Sequence, residues 1–590
     1  MGTVSGLRTR RYHGLLVVAG EVPARRQLGL AALDAVATPA GGAPVRLGVH
    51  EWADHTVAPR GHTLLATFDL ADGVPRWRWQ IGATVIEREI AMRHGSPCVA
   101  VVHRLVAGGP VEVTLDALTT WRDVHGERTS AGPAPGMADV ADGVVVEDAY
   151  RLRGPRWEGK GEWWLGVRHR EEAARGLTAV EDLWHAGTFG GVLASPGDCL
   201  EVTAWAHDLG ASPPAAAKIV EDARARGRAL GGWGRAADQF IVRTSAGPDV
   251  VAGYPWFGAW GRDTMTSYEG LFLATGRVDE GRELLLAYAG TLSEGMIANT
   301  CDTGAPEHNT VDATLWFLHA VDRHAQVDPD LAEQLRPQLK TVVDRHLAGT
   351  RFGIRVDPAD GLLAQGAPGT ALTWMDARVG GMPVTQRAGK PVEVNALWVN
   401  ALGGLAERRP DDGYRQLHAK AAESFRRRFV RPDGLLFDVV DPDDPAVRPN
   451  QLLAWSLPHA PLDAPDPAVL GRLCDALLTP VGVRSLSPVD PAYRGVHRGG
   501  PAERDAAYHQ GTVWPWLLGP TADAWRRAGD PGRAADLLAG VEAHLGEWGL
   551  GSVSETADGE APHDATGCPF QAWSVAEAIR SKRDTPDDTR

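Results

Sequence analysis

The chain has 590 residues, 44% hydrophobic and 23% charged, which excludes a disordered or fibrous protein and gives length for two or three domains with a large core. A formal net charge of −15 and a pI near 5.7 lack the basic footprint that nucleic acid or an anionic membrane surface rewards, so a neutral partner is the natural one. No apolar run reaches the length of a membrane span, and the stretch after Arg10-Arg11 is broken by Gly20-Glu21 too soon for a signal peptide.

The five cysteines, Cys98, Cys199, Cys301, Cys474 and Cys568, are odd in number and widely spaced. Neither a disulfide framework nor a zinc site is indicated, and a reducing cytoplasm fits. No Walker loop or dinucleotide fingerprint occurs, so no cofactor is expected. Twenty-one Trp stand against eleven Phe and eight Tyr; an indole offers a flat apolar face and one N–H donor, a surface suited to a sugar ring or simply to a core.

In chain order, short period-two runs come first, at 77–81, 84–90, 99–106 and 111–115, the pattern of antiparallel strands. A β-sandwich over residues 1–212 is the economical reading. Gly210-Ala211-Ser212-Pro213-Pro214 then breaks the pattern. Helical periodicity follows over 216–582, with candidates at 216–229, 263–276, 280–293, 311–326, 329–348, 393–408, 413–430, 449–458, 466–478, 508–528, 531–546 and 568–582. Twelve helices suggest six hairpins closed into an (α/α)₆ toroid, an α+β multidomain chain overall, with an open solenoid as the alternative. The longer loops 246–263, 295–311, 355–392, 480–508 and 548–568 are then free to line a mouth.

Those loops hold the informative residues. Trp256, Trp260, Arg262 and Asp263 combine stacking surface with an adjacent cation and anion before a helix, a way to grip a hydroxylated ring; Asp263 also reads as a helix N-cap. Asp376 follows Trp374 in a loop, where partial burial would raise its pKa and suit a general acid. Trp374 and Glu393 are further candidates for binding substrate, although Glu393 opens a helix, where the dipole alone favours a carboxylate. His509, Gln510 and Trp514 offer hydrogen bonds beside a stacking wall, or a buried bundle face. Glu555, in an acidic loop before the last helix, is the candidate general base, with Asp558 and Asp505 as substitutes. Inverting glycoside hydrolysis needs such a pair, roughly 6.5–9.5 Å apart with water between.

These segments resemble the bacterial and archaeal glycogen debranching enzymes, the amylo-α-1,6-glucosidase family, from Gly2-Thr3 and Thr9-Arg10-Arg11-Tyr12-His13-Gly14 through Trp260-Gly261-Arg262-Asp263, Thr373 to Ala377, Gly389 to Trp398 and Tyr508 to Trp516 to Ser554-Glu555 and Gln571-Ala572-Trp573-Ser574. The resemblance implies a glucoamylase-like helical domain and an inverting mechanism. By it Asp376 is the acid, Glu555 the base and 260–263 the clamp on the non-reducing glucose, with glycogen or a branched α-glucan oligosaccharide as partner. It also implies a segment upstream of Gly2-Thr3 in other members, and nothing in the chain resembles the glucanotransferase barrel of the eukaryotic enzymes. Ala259, His308 and Val399 depart from the family's usual Asp, aromatic residue and Tyr. Linkage preference is therefore open, and an α-1,4 or trehalose-type glucosidase, a phosphorylase or a non-catalytic glycogen-binding protein are the competing readings.

Overall fold

A computed structural model describes residues 2–410 and 412–583, which divide into two compact units, Met1–Arg235 and Ala236–Arg590.

The first unit is built on two antiparallel sheets. One runs Val17–Ala19, Arg26–Pro39, Val111–Asp123, Val180–Leu193, Glu158–Arg168, with Val45–Arg46 beside the second strand. The other has eight strands, from Met137–Val140 at one edge through Cys199–Ala206, Cys98–Ala107 and Thr84–Met92 to Leu65–Ala71. Alternation dictates the core. Leu33, Ala35 and Ala37 pair in register with Ala117, Leu115 and Val113, and this face packs on Ile86, Val99, Val101 and Val202 of the other sheet. Val102 and Ala100 point the opposite way, where Ala216, Ile219 and Val220 cover them. Hence Cys98–Ala107, buried on both faces for much of its length, reads as an apolar run rather than a clean alternation.

That covering helix, Ala216–Asp238, is the one expected to open the second region. Its period marks it as helical, but its apolar face is satisfied by the eight-stranded sheet, and the division between units falls near its end instead of at 212–216.

The basic N-terminal segment is pinned inside this unit. Glu181 accepts from Arg8 Nη2 at 3.0 Å and Arg122 Nε at 2.6 Å and pairs with His169 Nε2 at 2.9 Å, all four side chains being buried. Burial alone would raise the Glu181 carboxyl; Arg122, His169 and Arg8 reverse this and hold it well below the usual range. A depressed folded-state pKa stabilises above the unfolded value and is lost as pH falls through the folded one. Glu181→Gln is therefore expected to cost about 3–5 kcal/mol at neutral pH, by leaving buried cations unpaired, and this deficit shrinks as pH drops below the ordinary carboxylate range. Urea unfolding at pH 7 and about pH 3 checks both statements.

The second unit is mainly helical. Asp312–His324 and Val392–Arg408 are buried almost all round, as inner helices must be, whereas Tyr414–Phe429 buries one face through Tyr414, Ala421, Ala422, Phe425 and Phe429. Gly261–Thr266 packs against Asp312–His324, which packs against Val392–Arg408; Leu453–Ser456 touches both Val392–Arg408 and Leu518–Arg527; Ala572–Arg583 packs on Leu518–Arg527 and on the turn Glu269–Leu273. At the last contact a Cβ on Gly270 would collide with the Ala576 carbonyl oxygen, so glycine permits the close approach.

Helix boundaries differ from expectation where proline and glycine intervene. The helix expected at 508–528 begins only at Leu518: the strand Val513–Trp514 and the 3₁₀ turn Pro515–Leu517 precede it. The stretch 329–348 splits into Pro329–Gln334 and Arg336–Ala348, with Pro337 near the start of the second. The last helix starts at Ala572, after the strand Phe570–Gln571. No described helix is long and apolar enough to cross a membrane.

Candidate active site

Loops of the second unit meet around Arg262. Its buried guanidinium donates through Nε to both oxygens of Asp312, at 2.9 and 3.0 Å, and through Nη1 to Asp376 Oδ2 at 2.9 Å. Asp312 lies in an otherwise apolar inner helix and is itself buried, so it requires a cation. Arg262 N–H donates to Asn299 Oδ1 at 3.3 Å, and Ala259 N–H to Asp302 Oδ2 at 2.7 Å, tying the loop at 295–311 to the same point.

The sequence places Asp376 in a partly buried position behind Trp374. It is partly buried there, its side chain 41% exposed, and it accepts the Arg262 Nη1 hydrogen bond. Burial pushes the neighbouring Asp263 carboxyl up, to about 7, with Glu555 and Asp376 adding to the rise and Arg262 opposing it. Asp263 Oδ1 accepts from Gln571 Nε2 at 3.3 Å. This carboxyl therefore holds a proton for part of the time at neutral pH.

Glu555 is buried, 3% exposed. Its Oε1 accepts from the Tyr508 hydroxyl and its Oε2 from the Cys568 N–H at 2.8 Å. The loop is fixed by paired bridges of Thr556–Ala557 with Ala565–Thr566 and by His544, whose Nε2 lies 3.1 Å from Ser554 Oγ. Of the substitute bases, Asp558 is committed to Arg498 Nε at 2.9 Å and the His497 N–H at 2.8 Å, and Asp505 stands half-buried at the end of Pro501–Ala507, its carboxyl raised by burial.

Behind Asp376 lies an aromatic floor. Trp374 meets His509, Trp514 and Trp516 edge-on at 5.3, 5.2 and 5.4 Å, and His509 stacks on Trp514 at 5.3 Å and 11°. Burial first, then Arg448 and other cations, keep His509 neutral, its pKa well below the usual range. Gln510 Oε1 accepts from Arg448 Nη2 at 2.7 Å, and Trp514 Nε1 donates to the Tyr508 carbonyl at 3.1 Å. His509, Gln510 and Trp514, expected to touch substrate, are buried; Gln510 and Trp514 already bond to protein neighbours, whereas neither ring nitrogen of His509 has a hydrogen-bond partner among the described residues. Glu393 departs further: it is 2% exposed, with both oxygens on Arg387, which also donates to Asp438 Oδ2 at 2.7 Å. Asn450 links Asp438 to Trp374 Nε1, at 2.8 Å on each side. A helix-start carboxylate without the dipole as its main partner, Glu393 anchors the loop that carries Asp376. Trp256 and Trp260 remain half-buried at the loop that carries Arg262.

Sequence reading missed Asp312, Arg387, Asp438 and the Tyr508 hydroxyl. A charge inside an apolar helical run was the one available signal for Asp312. The three departures from the family pattern lie close to structure already described: Ala259 is buried, His308 Nε2 pairs with the Thr291 carbonyl at 2.9 Å, and Val399 is fully buried.

A helical unit whose loops gather carboxylates, an arginine and tryptophans suits the chemistry of a glycoside hydrolase. The family described as "Amylo-alpha-1,6-glucosidase" matches residues 235–580, and "Glycogen debranching enzyme N terminal" matches residues 1–198. The chain belongs to the amylo-alpha-1,6-glucosidase family of glycogen debranching enzymes. It is 27% identical over 381 residues to a glycogen debranching enzyme of Saccharomyces cerevisiae, a match spanning 46% of this chain and 25% of that protein, so the chain covers about a quarter of the relative's length. Among solved structures, a bacterial glucoamylase complexed with acarbose superposes with a TM-score of 0.58 at 12% identity, covering 98% of this chain and 92% of the other. A mannosylglycerate hydrolase from Thermus thermophilus reaches 0.45 at 14% identity, over 60% of this chain and 99% of the other.

Proposed function

We propose that this chain is an exo-acting glucosidase that removes glucose from α-1,6 branch points of glycogen or related oligosaccharides with inversion, Asp376 being the acid and Glu555 the base. In this reading the helices of the second unit form an (α/α)₆ toroid. Support comes from the pairwise packing, which passes through Gly261–Thr266, Asp312–His324, Val392–Arg408, Leu453–Ser456, Leu518–Arg527 and Ala572–Arg583 and returns to the first by way of Glu269–Leu273.

The observation that carries the assignment is the shared electrostatic neighbourhood of two carboxylates about 180 residues apart: Asp376 and Glu555 both raise Asp263 and both raise Tyr508. Two carboxyl groups set near common neighbours suit a displacement in which one donates a proton and the other activates water. The acid protonates the leaving glycosidic oxygen as its bond to C1 breaks; the base takes a proton from water as its oxygen bonds to C1 from the other face. Proton NMR of the first product of an α-1,6-branched oligosaccharide is expected to show β-glucose, and α-glucose as first product overturns inversion.

A further inference from the structure

We infer that Tyr508 is the positioning residue of the general base, its hydroxyl and the Cys568 N–H forming a two-sided cradle that fixes the Glu555 carboxylate toward the attacking water. The inference rests on the assignment of Glu555 as base proposed above.

Each oxygen of Glu555 has its own donor: the Tyr508 hydroxyl on Oε1 and the Cys568 N–H, at 2.8 Å, on Oε2. The two differ in kind. Cys568 N–H is backbone, and the Glu555 N–H returns a bond to the Cys568 carbonyl at 2.8 Å, so that side of the cradle belongs to the loop itself. Gly567, at φ +66°, permits it: an added Cβ would sit 2.5 Å from Glu555 Oε2 and 2.6 Å from Thr556 Oγ1, so any side chain there would displace the carboxylate.

Tyr508 arrives from elsewhere, at the end of Pro501–Ala507, and its ring is immobilised on three sides. His497 stacks on it at 5.2 Å and 25°, while His509 and Trp514 close in at 4.7 and 4.9 Å. A phenol held this firmly cannot follow a drifting carboxylate, so it dictates the carboxylate's position. Burial, then Glu555, Asp376 and Asp263, push its ionisation well above the usual tyrosine range, so the hydroxyl remains a donor throughout the working pH range.

The test uses the full chain with Tyr508→Phe, which deletes one oxygen and keeps the ring in its stack. For glucose release from an α-1,6-branched oligosaccharide, kcat is expected to fall about 10- to 100-fold through misplacement of the base, with KM within about twofold. The acid limb of the kcat profile is expected to move to higher pH, because a carboxylate that loses a donor accepts a proton more readily. A tyrosine with only a packing role would change the thermal midpoint without moving that limb. Wild-type kcat, or a loss of kcat with the limb in place, overturns the inference. Glu555→Ala with azide runs alongside: azide-dependent formation of β-glucosyl azide identifies the base independently of Tyr508. Azide rescue together with an inert Tyr508→Phe sinks the positioning role alone, whereas a fully active Glu555→Ala removes the base assignment and the tyrosine's role with it.

Discussion

Asp376→Asn is expected to lower kcat for release of glucose from an α-1,6-branched oligosaccharide by about 10³-fold, the scale of a lost general acid. The amide keeps the volume and can still accept from Arg262 Nη1, which lies 2.9 Å from Asp376 Oδ2 in the native chain. Because the amide keeps that bond and Arg262 retains both oxygens of Asp312, stability should fall by no more than about 1–2 kcal/mol. The loss is therefore chemical rather than structural, and the leaving group can show it. α-Glucosyl fluoride departs without a proton, so the variant should hydrolyse it near the wild-type rate. A variant lacking the base should not, since water still has to be activated. Near wild-type release of glucose from the branched substrate would remove Asp376 from the acid role, and equal losses on both substrates would point to a binding defect instead.

This prediction depends on residues whose chemistry is legible from the chain. Arg262, Asp263, Asp376 and Glu555 lie in glycine- and tryptophan-rich loops, where isolated charges beside aromatics stand out against the helical periodicity around them. The strands expected at 77–81, 84–90, 99–106 and 111–115 likewise lie inside Val74–Ile81, Thr84–Met92, Cys98–Ala107 and Val111–Asp123, since period-two patterning follows directly from one buried face. The support beneath the site has no such local signature. Arg387 and Asp438 are 51 residues apart, and each in isolation looks like an ordinary surface charge. Burial, which only the tertiary structure supplies, turns them into obligatory partners. The same cause explains Glu393, a plausible pocket residue by position that is consumed by Arg387, and the misplaced start of the helix now seen at Leu518, where the apolar run of 513–518 conceals a strand and a proline turn.

Arg387→Met should show how much of the site hangs on that hidden layer. The guanidinium has both oxygens of Glu393 and both of Asp438 within reach, three side chains each about 2% exposed or less. Burial opposes its charge, yet Asp438 and Glu393 raise its pKa well beyond the usual range. Removing the cation leaves two carboxylates buried together, so urea unfolding should report a loss of about 3–5 kcal/mol. The damage should also travel. Asp438 accepts from Asn450, and Asn450 accepts from Trp374, two residues before Asp376, so a loosened Asp438 frees the loop that carries the acid. Where the variant remains folded, kcat on the branched substrate should fall about 10²-fold, the scale of an acid displaced by an ångström. The triple change Arg387→Met, Glu393→Leu, Asp438→Asn separates the two effects. With the charges gone together, most of the stability should return, and the amide that replaces the Asp438 carboxyl can still accept from Asn450. Recovery of stability without recovery of kcat would mean that the guanidinium itself, through its contact with Thr373 Oγ1 at 3.3 Å, sets the geometry of the Asp376 loop.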